Sequence, residues 1–226
     1  AFTAWRNHVY LEHFGLSAPP FRITPHPEFF FEGAYRGEIL AALIYAIEAG
    51  EGLMTVTGEV GSGKTMLCRV LAERLAARID TVYLTDPSLS ADELLATIAD
   101  DLGVELDATR PTSRVRQLQN ILIERYASGH QVVVLIDEAH AIPEESLEKV
   151  RLLSNLDHGH HKLLQMVLFG QPELNERLQQ PRLRQLRERI TYRFELRPFK
   201  SPDVTAYVDW RLRAAGYTGA SPFSKA

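Results

Sequence analysis

The sequence predicts an α/β fold, a parallel sheet with helices on both faces, and three observations predict it. Short apolar strands alternate with amphipathic helices along most of the 226 residues, as in successive βα units. One strand, beginning at Leu53, runs directly into a glycine-rich loop that opens a helix. Another, Val132 to Ile136, is apolar at every position, the form of a parallel strand covered on both faces.

Taken in order, residues 1 to 32 are rich in aromatics and proline, and Pro19, Pro20, Pro25 and Pro27 rule out a long helix there. This leader is expected to lie extended on the domain. Phe21, Phe29, Phe30 and Phe31 read as packing anchors, with a purine pocket as the functional alternative. From Tyr35 to Ala49 apolar residues at Ile39, Leu40, Leu43, Ile44 and Ile47 mark a helix stopped by Gly50. After the loop, Met66, Leu67, Val70, Leu71 and Leu75 stripe the next helix. Thr81 to Thr85 reads as a buried strand, Ala91 to Leu102 as a helix capped by Ser90, and Thr112 to Ala127 as a helix closed by Gly129. A helix over Glu144 to Leu156, a strand over Leu163 to Phe169, a turn at Gly170, Gln171 and Pro172 and a short helix to Leu178 follow. Ile190 to Leu196 completes the strands, and Pro202 to Ala215 forms a last helix capped by Ser201.

Composition narrows the class without choosing a function. With 45% apolar and 24% charged residues and a net charge of −4, the chain is an ordinary globular one, and the charge argues against wholesale nucleic-acid binding. DNA is therefore not an expected partner, although net charge does not speak to local patches. A single cysteine, Cys68, cannot build a disulfide framework, and a cytoplasmic location is the simplest fit. No apolar run approaches the ~20 residues of a membrane helix.

The chemistry starts at Leu53 to Thr65, LMTVTGEVGSGKT. Gly58, Gly63, Lys64 and Thr65 fit G-x-x-x-x-G-K-[ST], a pattern expected by chance in about one chain in a hundred of this length. Such a loop, here Gly58, Glu59, Val60, Gly61, Ser62, Gly63, Lys64, Thr65 and Met66, wraps phosphates in backbone N–H groups at the positive end of a helix. Lys64 would reach the β- and γ-phosphates of ATP, and the Thr65 hydroxyl would ligate Mg²⁺. Asp137 and Glu138, at the carboxyl end of their strand, would face the same crevice. Asp137 would then hold the magnesium shell, and Glu138 would orient and polarise a water.

Four other features stay open on the residues alone. Gln171 could touch the γ-phosphate or the water, or cap the helix begun by Pro172. His140 reads as a surface or packing histidine. His158, His160 and His161 read as a solvated turn, with metal binding the alternative. Arg182, Arg184, Arg187, Arg189, Arg193 and Arg197 could form a nucleic-acid patch, a phosphate-sensing edge between subunits, or a basic surface.

GEVGSGKT, VVVLIDEAH, LLQMVLFGQPEL and LRQLRERITYRFELRPF, with the leader YLEHFGLSAPPFRITPHPEFFF, resemble the AAA+ ATPases of the general secretion pathway protein A group. The likeness spans about Tyr10 to Phe223 and is greatest to the branch serving MSHA pilus biogenesis. It implies a P-loop NTPase core with sheet order 5-1-4-3-2, ATP hydrolysis with Mg²⁺, and ring-like homo-oligomers. It also implies work with pilus or type II secretion components at the cytoplasmic face of the inner membrane. It makes Gln171 the sensor-1 position, where many relatives carry Asn, and Arg189 the arginine finger. It divides the chain into a leader (1–34), a nucleotide-binding core (35–199) and the start of a helical lid (200–226). The rest of the lid, with its sensor-2 arginine, would follow Ala226 in a longer protein, while residues 1–8 precede the usual start. The rival reading is a DNA-associated AAA+ regulator of the transposition type, in which ATP acts as an assembly switch. A small-molecule kinase is weaker, because Glu138 suits water activation.

Overall fold

In a computed structural model, the structure describes residues 10–223 apart from 23, 25, 77, 108–113 and 160. Residues 1–8, Pro25, Thr112 and His160, all named above, lie outside the described residues. Five strands form one parallel sheet: β1 Leu53–Gly58, β2 Ile79–Leu84, β3 Gln131–Ile136, β4 Leu164–Gly170 and β5 Ile190–Leu196. Their order is β2-β3-β4-β1-β5. That is 5-1-4-3-2 read from the other edge, as the resemblance implied.

Beyond a helical stretch over residues 10–14, which departs from the extended leader expected, the helices are α1 Arg36–Glu48, α2 Lys64–Leu75, α3 Ala91–Asp101, α4 Arg114–Ala127, α5 Glu144–Leu153, α6 Glu173–Leu178, α7 Arg184–Arg189 and α8 Ser201–Ala214. Strand alternation sends successive side chains to opposite faces, and the core is split accordingly. Met54, Val56, Val133, Leu135, Val167 and Phe169 pack under α1 and α2. Leu53, Val132, Val134, Ile136, Met166 and Leu168 pack under α3 to α7. The helices therefore cover both faces, and β1, β3 and β4 read as apolar runs because neither of their faces meets water.

Three boundaries differ from expectation for a visible reason. β2 starts two residues earlier than the expected Thr81 and is half-buried, with Asp80, Thr81 and Tyr83 partly exposed, because it is an edge strand. α5 ends at Leu153, not Leu156: the Ser154 hydroxyl donates to the Arg151 carbonyl at 2.7 Å, and Leu156 instead accepts from Leu163 N–H at 2.9 Å. The chain there enters a short antiparallel ladder, Asp157–His158 against His161–Lys162. Lys200, not Ser201, precedes the first turn of α8, its N–H bonded to the Asp203 carboxylate at 2.9 Å. Ser90 caps α3 as expected, in a reciprocal box with Glu93.

The leader packs on more than the sheet domain. Phe29 and Phe30 are buried, whereas Phe21 is 47% exposed and stacks edge-on against Phe223. Ser17 donates through both N–H and hydroxyl to the Ala215 carbonyl after α8. Buried Arg211 donates to the Pro20 carbonyl and lies 4.9 Å from the Phe29 ring, so leader and α8 are clasped together.

Candidate active site

The phosphate loop is shaped by what its glycines lack. A Cβ on Gly58 would sit 2.7 Å from Ser62 Oγ and 2.8 Å from the Leu196 carbonyl, so only glycine lets β1, the loop and β5 close together. Gly63, with φ of 97°, turns the chain into α2 in a conformation that side chains disfavour. Lys64 is 6% exposed, and its ammonium donates to the Gly58 carbonyl at 2.8 Å and the Glu59 carbonyl at 3.0 Å. Lys64, Thr65 and Met66 form the first turn of α2, whose N–H groups have no acceptor within the helix.

Arg36 supports this loop from outside. It is buried, and its guanidinium donates to the carbonyls of Ser62 (2.9 Å), Arg197 (3.3 Å) and Ala34 (3.2 Å) while lying 4.0 Å from the Phe199 ring. Burial pulls its pKa below the usual guanidinium range, with the charges of Asp203 and Tyr207 opposing. One cation thus joins the loop, the end of β5 and the leader. Sequence reading passed over it, yet the signal was there: Arg36 falls on the same stripe as Leu40, Leu43 and Ile47, where an isolated charge needs partners.

The register brings the other residues to the same end of the sheet. Ile136 lies opposite Leu168, and Leu168 opposite Thr55, so Asp137, Gly170 and Gly58 end neighbouring strands. β4 lies between β3 and β1, which puts Gln171 between the loop and the carboxylate pair. Asp137 is buried; Oδ1 accepts from Glu138 N–H at 2.9 Å and Oδ2 from the Tyr83 hydroxyl at 3.3 Å. Burial first, then the charges of Cys68 and Asp137, push the Tyr83 phenol well above its ordinary range, so it stays protonated and donates. Burial likewise raises the Cys68 thiol, which leaves it an unreactive core group.

Glu138 has φ of 52° and ψ of 33°, the left-handed region that a side chain occupies at a cost of about 1–3 kcal/mol. The turn aims its carboxylate back across the strand ends, where Oε2 lies 3.4 Å from His140 Nδ1. His140 is therefore not a mere packing histidine. Its Nε2 is 3.0 Å from Gln171 Nε2, and its Nδ1 is 3.4 Å from the Gln171 backbone nitrogen. Gln171 does not cap α6 through its side chain; the carboxamide goes to His140 instead.

Of the six arginines, Arg184, Arg187 and Arg189 lie in α7 before the amino end of β5, whereas Arg193 lies within that strand and Arg197 follows Leu196 at its carboxyl end. Arg182 pairs with Glu144, Arg184 with Glu188 and Arg197 with Glu195, while Arg187 donates to Gln179 and Arg193 to the Arg187 carbonyl. Among the described residues Arg189 alone of the six makes no hydrogen bond or ion pair within the chain, so it pairs with neither of the nearby carboxylates Glu188 and Glu195. It is exposed and precedes Ile190, which lies opposite Leu53, while Leu196 lies opposite Gly58. Six residues of strand at ~3.3 Å each separate it from its own loop, beyond the reach of a side chain. His158 and His161 face each other across the short ladder beside Tyr126. No group of three His, Cys, Asp or Glu among the described residues could hold a metal ion by itself.

The donor set fits a magnesium-bound triphosphate. Ser62 Oγ is buried without a partner, and a Cβ on Gly61 or Gly63 would meet nothing within 4 Å, so the loop's concave side is open to its N–H groups and Lys64. Thr65 and Asp137 offer the hard oxygen ligands that Mg²⁺ takes alongside phosphate and water. Between the leader, α2 and α8, Gly33, Phe30 and Phe31 border a cavity of about 590 Å³ completed by Val70, Arg74 and Trp210.

Comparison with known proteins agrees with this geometry. The chain is 43% identical over 209 residues to the general secretion pathway protein A of Aeromonas hydrophila, covering 92% of this chain and 38% of that protein. It is 28% identical over 198 residues to the ATP-dependent target DNA activator B of Escherichia phage Mu, covering 83% and 58%. The chain thus spans well under two thirds of these relatives. Among solved structures, the Aeropyrum pernix ORC2 protein, as ADPNP-ADP complexes, superposes with a TM-score of 0.64 at 17% identity over 86% of this chain and 55% of that one. Cdc6p from Pyrobaculum aerophilum gives 0.64 at 17% over 87% and 52%. The family description of the AAA domain matches residues 47–178, from the end of α1 through the phosphate loop, the β3 carboxylates and Gln171 to the end of α6, and the chain belongs to that family.

Proposed function

We propose that this chain is the nucleotide-hydrolysing part of a Mg²⁺-dependent AAA+ ATPase that assists assembly of a type IV pilus of the MSHA kind or of a type II secretion machine. The observation that carries the chemistry is the convergence of Lys64, Thr65, Asp137, Glu138 and Gln171 on one end of the sheet. The machine is inferred from the general secretion pathway relative. The protein works in the cytoplasm, held at the inner membrane by its partners; no helix among the described residues is long and apolar enough to cross a membrane.

In this reading the loop N–H groups and Lys64 bind and orient the phosphates, and Thr65 and Asp137 hold Mg²⁺. The metal, when bound, neutralises charge developing on the phosphate oxygens. Glu138 orients the attacking water and accepts its proton, Gln171 senses the terminal phosphate, and Arg189 reaches the site of a neighbouring subunit in a ring-like homo-oligomer. The base lies where leader and α1 meet; crosslinking of 8-azido-ATP outside residues 19–40 would remove that placement. The leader, core and lid division at residues 34/35 and 199/200 belongs to the same proposal.

Two substitutions test the chemistry. Lys64→Ala should abolish binding of a fluorescent ATP analogue. Glu138→Gln should bind ATP with near-parental affinity and turn it over about 10²-fold more slowly or worse. Parental turnover in the Glu138 variant would remove its role. The second reading, a DNA-associated regulator, is favoured by the phage Mu relative. Against it, three of the six arginines are already paired with carboxylates. DNA binding whose affinity falls steeply with salt would favour it, whereas recovery of secretion or pilus components with the intact protein from its own cells would favour the first.

A further inference from the structure

His140 stands between two groups whose demands on it conflict. Its Nδ1 is 3.4 Å from Glu138 Oε2 and equally 3.4 Å from the Gln171 backbone nitrogen, and its Nε2 is 3.0 Å from the Gln171 carboxamide. A neutral imidazole carries one N–H and one acceptor nitrogen. With the proton on Nδ1, the ring donates toward Glu138 while Nε2 accepts from the Gln171 amide N–H. With the proton on Nε2, Nδ1 accepts from the Gln171 backbone N–H, the ring donates to the carboxamide oxygen once the amide rotates, and Glu138 loses its donor. The orientation of the Gln171 amide therefore selects the tautomer, and the tautomer decides whether Glu138 is held.

The surroundings fix the ring and leave only the proton and the amide to move. The His140 side chain is 19% exposed. Arg177 in α6 donates a fork to the carbonyls of His140 and Ile142, the latter at 2.7 Å. Gly170 permits close approach, since a Cβ there would lie 3.2 Å from the His140 backbone nitrogen. The turn bearing Glu138 and the α6 segment after Gln171 are thus one pinned unit with two internal hydrogen-bond arrangements, the kind of element through which coupling passes.

We propose that His140 is a positioning residue that couples Gln171 to Glu138, releasing or holding the Glu138 carboxylate according to how the Gln171 amide is turned. This rests on the reading of Glu138 as the group that orients the water. The first test needs no nucleotide: in ¹⁵N-histidine-labelled protein under mildly alkaline conditions, long-range ¹H–¹⁵N correlations report the His140 tautomer, with His140→Asn as the blank. Gln171→Ala and Glu138→Gln should each shift the Nδ1–H to Nε2–H ratio.

The second test is kinetic. His140→Ala should lower turnover about 10-fold or more, the scale for groups that orient a reactive partner, with ATP affinity held within about twofold. Gln171→Ala should cost turnover in the parental chain but add less than about twofold on His140→Ala, because the link is already cut. His140→Asn, which keeps an amide near the Nδ1 position, should retain more activity than His140→Ala. If Glu138→Gln hydrolyses at the parental rate, the reading of Glu138 falls. If it is inactive but the His140 and Gln171 effects multiply independently, or the ring resonances ignore Gln171→Ala, the coupling is overturned. Should His140→Ala fail to fold, the resonances and the Asn variant decide.

Discussion

At the carboxyl ends of β3, β4 and β1 polar groups are buried and the backbone is strained, whereas at the amino ends the charges are exposed and the backbone is relaxed. Arg36, Ser62, Lys64 and Asp137 are all buried at the first end. All three non-glycine residues with positive φ among those described, Ala34, Tyr35 and Glu138, lie there too. At the other end Arg184 pairs with Glu188 in water, where solvent screens the two charges, and Arg189 has no partner among the described residues. Stability has been spent at one end to hold cations and carboxylates in fixed positions. The other end offers Arg189, whose guanidinium has no partner among the described residues and which its own site is too far away to use.

The largest test of this asymmetry joins the two ends across subunits. Arg189→Ala should slow hydrolysis in the assembled protein by ~10³ to 10⁵-fold, the scale of arginine fingers, and leave ATP affinity nearly intact. Mixing Arg189→Ala with Lys64→Ala subunits should restore part of the activity, because an intact loop can then meet an intact arginine. Absence of recovery where mixed oligomers demonstrably form would remove Arg189 from that role.

A smaller effect probes the buried cation. Arg36→Met leaves the Ser62 and Arg197 carbonyls without their donor, and should cost about 1–3 kcal/mol in denaturant unfolding while weakening ATP binding. Arg36→Lys should recover only part of either loss, since one ammonium cannot span the three carbonyls a fork reaches. Parental stability and affinity in both variants would mean that the loop needs no support from α1.

The smallest prediction concerns backbone strain, and it reverses sign between the ends. At Glu138, glycine should be more stable than alanine by about 1 kcal/mol, because the left-handed turn penalises a Cβ. At Glu188, inside α7, alanine should be more stable than glycine by a similar amount, about 1 kcal/mol. Thermal unfolding of the four variants measures both differences; the same sign at both sites would deny that the strain is local to the carboxyl end.

Much of this was legible in the residues because it is encoded locally. Among the described residues, the alternation of apolar runs and amphipathic stripes gave seven of the eight helices α1 to α8 and the five strands of the sheet to within two residues at their starts, whereas α7, Arg184–Arg189, went unread because it has one buried residue, Leu186. The phosphate loop and the β3 carboxylates announced themselves because each is contiguous in the chain. The Ser90 cap did so for the same reason, and the structure adds its reciprocal partner Glu93.

What the sequence by itself determined, then, is whatever repeats or caps within a few residues: the elements, the loop, the carboxylate pair and the absence of a disulfide framework. Tertiary structure decided which strand meets water and which side chains meet one another. β2 is an edge strand because of its place in the sheet, which an apolar run of that length does not disclose. His140 and Gln171 stand 31 residues apart in the chain, and Arg36 and Arg197 161 apart. Their contacts exist because parallel pairing aligns the ends of β3, β4, β1 and β5, and because a left-handed turn at Glu138 and a bare Cα at Gly170 let those ends close. Local periodicity selects the elements, whereas the hydrogen bonds between their ends depend on register, which is set only when all five strands have packed.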